Sequence, residues 1–181
     1  MNYIFRGLFF TTLNFDFTSG SIKIGLIPSF IGYILMLKGI DELSKESEAF
    51  TKIRIYAKGM AIYSTLTYII DLIGMSYIIP SGLDVIIGIG ANIVAFYITY
   101  NIIMGIADIE KRYELDLNSH GLYSIWMGSL ILTGLMYLTL LVLPLALAAV
   151  ILNIIVSIYF LVAFNRSKNV YDEAMNKNKL R

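Results

Sequence analysis

Five long apolar runs constrain this chain more than any other feature. They cover roughly residues 24–40, 56–79, 85–106, 122–142 and 145–164. A helix rising about 1.5 Å per residue needs about 20 residues to cross about 30 Å of hydrocarbon. The second to fifth runs reach that length, and the first borrows residues 39–43 to complete its last turn. With 57% hydrophobic and 15% charged residues, the chain departs from the soluble norm of about 45–50% apolar and about 25% charged. A water-facing core of this size cannot hide so much apolar surface. The lipid bilayer is therefore the expected solvent and partner.

Charge orients the runs. The segment from Lys38 to Lys58 holds Lys38, Lys45, Lys52, Arg54 and Lys58, the segment from Ala107 to Gly121 holds Lys111 and Arg112, and the stretch after Phe164 holds Arg166, Lys168, Lys177, Lys179 and Arg181. If the spans alternate, these twelve of fourteen basic residues fall on one side, which the positive-inside rule makes cytoplasmic. The N-terminal stretch, about residues 3–17, is read as retained, because Asn14-Phe-Asp-Phe lacks the small residues of a signal-peptidase site. As a short tilted span it puts Arg6 inside with the rest and completes six helices in three hairpins, both termini cytoplasmic. As a re-entrant or interfacial helix it leaves five spans. The expected fold is thus all-α, a polytopic transmembrane bundle forming one domain over residues 1–164, with a short cytoplasmic tail over 165–181. Pro28, Pro80 and Pro144 read as punctuation at outer helix starts, where the missing N–H is not needed. Asn92-Ile-Val-Ala and Asn153-Ile-Ile-Val form a faint internal echo.

The stretch Gly25-Leu-Ile-Pro-Ser-Phe-Ile-Gly-Tyr-Ile-Leu-Met-Leu-Lys-Gly-Ile-Asp-Glu-Leu resembles an uncharacterised family of small multipass membrane proteins from low-GC Gram-positive bacteria. Their pattern is a Phe-rich start, a Pro-Asp-Phe-Ile-Gly-Tyr-like span and a Gly-Leu/Ile-x-Glu-Leu exit. Ser29 stands here where that pattern has an acid. The resemblance covers about 50 residues and implies topology, not activity.

Asp71 is the leading candidate site residue. It lies in Tyr63-Ser-Thr-Leu-Thr-Tyr-Ile-Ile-Asp-Leu-Ile-Gly, nine residues before Pro80, which places it roughly 13 Å inside the outer end at helical rise. A carboxylate at that depth costs about 2.5–3.5 kcal/mol on insertion scales, so it must be neutral, paired or facing a wet cavity. Helical stepping sets it on a small, polar stripe with Ala57, Ala61, Ser64, Thr67 or Tyr68, and Gly74, while Ile62, Leu66, Ile69 and Ile73 fall elsewhere. The functional reading is a proton-relay, cation or cationic-substrate site with Asn92 and Asn153 as further members. The structural reading is a hydrogen-bonded acid that holds helices together.

Simpler roles suit the other polar residues. Asn101 reads as interhelical glue, Lys38 and Lys58 as snorkelling anchors, and Asp84 as a helix N-terminal charge. Asp41 is placed to pair with Lys45 in a solvated extension. Many of the thirteen tyrosines and Trp126 suit the membrane interfaces. With no cysteine and His120 alone, no zinc site of familiar type is expected. No P-loop, H-E-x-x-H or G-x-S-x-G motif occurs, and Gly88-Ile-Gly90 is too short for a dinucleotide fingerprint. Neither an enzyme, a cofactor nor nucleic-acid binding is expected. Two classes stay open: a membrane protein binding or transporting a small solute or ion between helices, and a structural, accessory or regulatory subunit of another membrane complex. For the second, Ser124, Gly128 and an Ala146–Ala149–Asn153 face are candidate contact surfaces, with a membrane-protein partner or a second copy as the occupant.

Overall fold

The computed structural model describes all residues except 13–15, 20–21, 26–27, 76–79, 140–142 and 180–181. Among the described residues, six helices and one antiparallel strand pair follow in chain order. They are α1 (Asn2–Thr12), β1 (Asp16–Ser19), β2 (Ile22–Gly25), α2 (Ser29–Leu43), α3 (Glu48–Leu72), α4 (Ser81–Tyr113), α5 (Ser119–Thr139) and α6 (Leu143–Lys179). The chain divides into two compact units, Met1–Asn101 and Ile102–Arg181.

The first unit opens with a close-packed helix pair. α1 and α2 run antiparallel, with Ile4 against Gly39 and Gly7 against Gly32 and Met36. A Cβ on Gly7 would lie 2.7 Å from the Gly32 carbonyl oxygen and 2.8 Å from the Met36 nitrogen. The two backbones therefore touch, as small residues allow between membrane helices. Ile4, Leu8, Tyr33, Met36 and Ile40 are buried along this seam. At 11 and 15 residues, α1 and α2 rise about 16 and about 22 Å, both short of the hydrocarbon thickness. α1 is thus not a full helical span. The alternation of bulky and polar residues after it forms a strand, and Asp16–Ser19 pairs with Ile22–Gly25 in register Phe17↔Ile24. This hairpin is the departure from an all-α chain.

α2 packs on α3, and β2 also lies against α3. Ser47 starts α3 as an extended N-cap whose hydroxyl accepts from the Ala49 N–H at 3.1 Å, with Glu48 in the first turn, both favourable to a helix start. Arg54 Nε meets Asp41 Oδ1 at 2.8 Å, so the Asp41 carboxylate reaches across to a second helix, because α2 ends at Leu43 before an i,i+4 partner in the same helix. Phe50, Ile53 and Ala57 complete the core, each larger side chain contributing about 1.5–3 kcal/mol by burial.

In the second unit Ile102, Ile103, Ile106 and Ile109 of α4, Leu117, Leu122 of α5, and Phe160, Leu161 and Phe164 of α6 are buried. α5 packs on α6. α6 does not stop at residue 164 but continues to Lys179, because Phe164, Ser167 and Tyr171 sustain a buried face at helical spacing. The expected tail is therefore helical. α4 also outruns its apolar run and ends at Tyr113 on Lys111 and Arg112, cations that favour a helix C-terminus. Glu114 then adopts φ 50°, and the Leu115 N–H reaches back to the Glu110 carbonyl at 3.1 Å. The Glu110 carboxylate accepts from the Ser119 N–H at 3.1 Å, and His120 stands in the first turn of α5.

All three prolines sit at helix starts. Pro28 is the N-cap of α2, Pro80 directly precedes α4, and Pro144 is the second residue of α6. Among the described residues, two helical stretches, Gly82–Tyr113 and Ala148–Lys177, are long and apolar enough to cross a membrane by length and composition. The expected ends of the second and fourth runs, residues 79 and 142, lie outside the described residues.

Candidate functional site

The polar stripe of α3 is on the side where it was expected. Ala57, Ala61 and Ser64 are buried and Thr67, Tyr68, Asp71 and Gly74 half-buried, whereas Ile62, Leu66, Ile69 and Ile73 are each close to half exposed or more. One helix thus turns small and polar groups inward and large aliphatic groups outward, the reverse of a helix in water.

The position of Asp71 along that stripe needs correction. Counting helical rise back from Pro80 put it deep in a continuous helix, but α3 ends at Leu72. Gly74 takes φ 69°, its N–H bonds the Asp71 carbonyl at 3.1 Å, and the Met75 N–H bonds the Ile70 carbonyl at 3.0 Å. This pair of bonds is a Schellman stop, for which glycine is suited because it lacks a Cβ. Asp71 therefore belongs to the last turn. A carboxylate there opposes the helix macrodipole by about 0.3–1 kcal/mol, so helix stability is no reason for its presence.

A second acid comes near. The Tyr63 phenol lies within electrostatic reach of both Asp71 and Asp84. Asp84 stands in the first turn of α4, where the Leu83 and Asp84 N–H groups bond the Pro80 carbonyl at 2.9 and 3.1 Å. Tyr63 is not among the site residues expected from the sequence. The i, i+4, i+8 row Tyr63, Thr67, Asp71 was the available signal, and the approach of Asp84 required α4.

The hydroxyls of the stripe donate to their own helix. Ser64 bonds the Met60 carbonyl at 2.6 Å, and Thr67 the Tyr63 and Ser64 carbonyls at 3.2 Å each. Their protons are engaged, and what they offer a neighbour is oxygen lone pairs. Asp71 and the hydroxyl oxygens of the stripe are all acceptors, the kind of oxygen group that a cation or a donor-rich solute takes. Tyr68 packs its ring on Phe30 of α2 at 5.5 Å between centroids, a packing role.

The asparagines separate. Asn92 is an exposed residue of α4 in the first unit. Asn153 belongs to the second unit, where its Nδ2 donates to Thr133 Oγ1 at 2.9 Å and ties α6 to α5. That is the helix-joining role rather than the solute role. Asn101 is buried and donates to the Tyr97 carbonyl at 2.9 Å. Comparison with family models, curated proteins and solved structures gives no match.

Proposed function

We propose that this chain is a multipass membrane protein, non-enzymatic, that binds a small cation or cationic solute at the outer end of its first unit. Asp71 and Asp84 supply the charge, and Tyr63, Ser64 and Thr67 supply oxygen acceptors. The observation that carries the reading is the place of Asp71 on the half-buried polar stripe of α3, with Asp84 within electrostatic reach of the same helix at Tyr63, while that helix exposes its large aliphatics.

Membrane residence is supported by the extent of exposed apolar surface. On α6 alone, Ile151, Ile155, Tyr159 and Val162 are each more than half exposed, far beyond the scattered apolar residues of a soluble monomer. The basic residues at the opposite helix ends agree with cytoplasmic placement of those ends, and the resemblance to small multipass proteins agrees with this topology.

The test is a ligand-dependent thermal shift screen of inorganic cations and small amines on the purified protein in detergent, run beside Asp71→Asn and Asp84→Asn. The shift should be lost in both variants, with folding retained. A cation response unchanged in either variant refutes the site.

An accessory role has one observation in its favour. Gly128 and Gly134 of α5 and Gly88 and Gly90 of α4 have open space where a Cβ would stand, room for the close approach of a partner helix. Ala149 and Asn153, in contrast, are engaged within the second unit.

A further inference from the structure

Two contacts set the register of α2 against α3. Phe30 meets Tyr68 at 5.5 Å between ring centroids, and Asp41 meets Arg54 at 2.8 Å. The helices therefore run antiparallel, and Tyr33, one turn beyond Phe30, falls level with Ser64, one turn before Tyr68. Tyr33 is 6% exposed and Ser64 8%. Their hydroxyls are in different states. The Ser64 proton goes to the Met60 carbonyl, which leaves oxygen lone pairs. The Tyr33 hydroxyl has no hydrogen-bond partner among the described residues. A tyrosine this buried ordinarily bonds its hydroxyl, because burial removes water and an unmet donor is costly. No fully enclosed side-chain oxygen or nitrogen lacks a partner among the described residues, so the Tyr33 oxygen borders open space. The Tyr63 phenol lies within electrostatic reach of Tyr33 and of Asp71 alike. Asp71 itself stands two turns beyond Ser64, about 10 Å along the helix axis. One end of the stripe thus carries a carboxylate, and the other an unused donor beside an unused acceptor.

We propose that the solute of this site is an amino alcohol, its ammonium held by Asp71 and its hydroxyl set between Tyr33 and Ser64. The inference rests on the cationic-solute reading above and gives that solute a chemical class. A ligand hydroxyl both donates and accepts. It accepts from the Tyr33 O–H and gives its own proton to Ser64 Oγ, so both unmet groups are satisfied at once. A metal ion has no proton to give Ser64, and a plain alkylamine leaves the Tyr33 donor unmet. The distance between the two ends favours a short linear chain over a compact ion.

Aminopentanol and pentylamine, which differ by one hydroxyl, are the probes. Each is titrated against the purified full chain in detergent, with thermal unfolding as the readout. Wild type should bind aminopentanol roughly fivefold more tightly, the worth of one net hydrogen bond. Tyr33→Phe keeps the ring and should make the two probes equal, while Asp71→Asn should lose the response to both. Without ligand, Tyr33→Phe should melt no lower than wild type, because the hydroxyl it loses bonds nothing in the protein. A ligand-free Tm lowered by several degrees would show a structural hydroxyl and overturn the proposal. A wild type that answers neither amine overturns the cation reading and this inference together. Responses that need Asp71 but show no preference for the hydroxyl, or a preference that Tyr33→Phe retains, overturn this inference alone.

Discussion

Replacing Gly7 by alanine isolates the backbone contact on which the α1–α2 pair depends. The new Cβ would stand 2.7 Å from the Gly32 carbonyl oxygen and 2.8 Å from the Met36 nitrogen, about 0.7 Å inside the 3.4 Å at which ordinary contact begins. Both are backbone atoms, so no rotamer change relieves the overlap and the helices must part. A gap of 0.5–1 Å forfeits roughly a quarter to a half of the dispersion attraction between the atoms it separates, here along Ile4, Leu8, Met36 and Ile40. Overpacking of this kind costs about 1–3 kcal/mol. For a chain of this length, a loss of about 2 kcal/mol lowers Tm by roughly 4–8 °C. Gly90→Ala is the matched control. It adds the same methyl to a helical glycine with nothing within 4 Å, and alanine is favoured over glycine inside a helix by roughly 0.5–1 kcal/mol. Thermal unfolding in detergent, followed by circular dichroism, should therefore move in opposite directions for the two variants. A Gly7→Ala protein as stable as the wild type would show that the seam is not closed as described.

Glu114→Gly should raise stability by about 1–2 kcal/mol, because glycine takes the observed φ of 50° without the left-handed strain; a Tm at or below wild type contradicts the αL cap. Thr133→Val removes the acceptor of Asn153 at constant shape and should cost about 0.6 kcal/mol, at most about 1.7, while leaving any cation-dependent shift at Asp71 intact. Loss of that shift would mean that the two units share one site. Arg54→Gln breaks the pair with Asp41, but both side chains are more than half exposed, so the change in Tm should be small, within about 1 kcal/mol, and should vanish at high salt. A large, salt-independent loss would contradict the exposed geometry.

Much of the helical layout was legible because it follows from local rules. The three prolines mark helix starts for a reason that operates within one turn, and the inward stripe of α3 follows from 3.6-residue periodicity alone. Asp71 shows where such reasoning stops. Hydropathy continues past Ile73, so the run read as an uninterrupted helix, yet Gly74 ended it. Apolar character measures where a segment partitions, whereas a left-handed glycine decides where its hydrogen bonds end. The β-hairpin at residues 16–25 was missed for a related reason: strands of four residues carry too little periodicity to stand out beside a Phe-rich helix. The helical continuation through Ser167 and Tyr171 was hidden because a charged segment after an apolar run reads as tail until the buried face is seen.

Amino-acid order alone determined the helical class, the large share of apolar surface and the asymmetry of positive charge, since each depends only on the solvent preference of successive side chains. Tertiary structure alone decided that Gly7 and Gly32 bring two backbones into contact, that Asn153 serves Thr133, and that Asp84 comes within electrostatic reach of Tyr63. Those facts concern groups far apart in the chain, and only packing sets the distance between them.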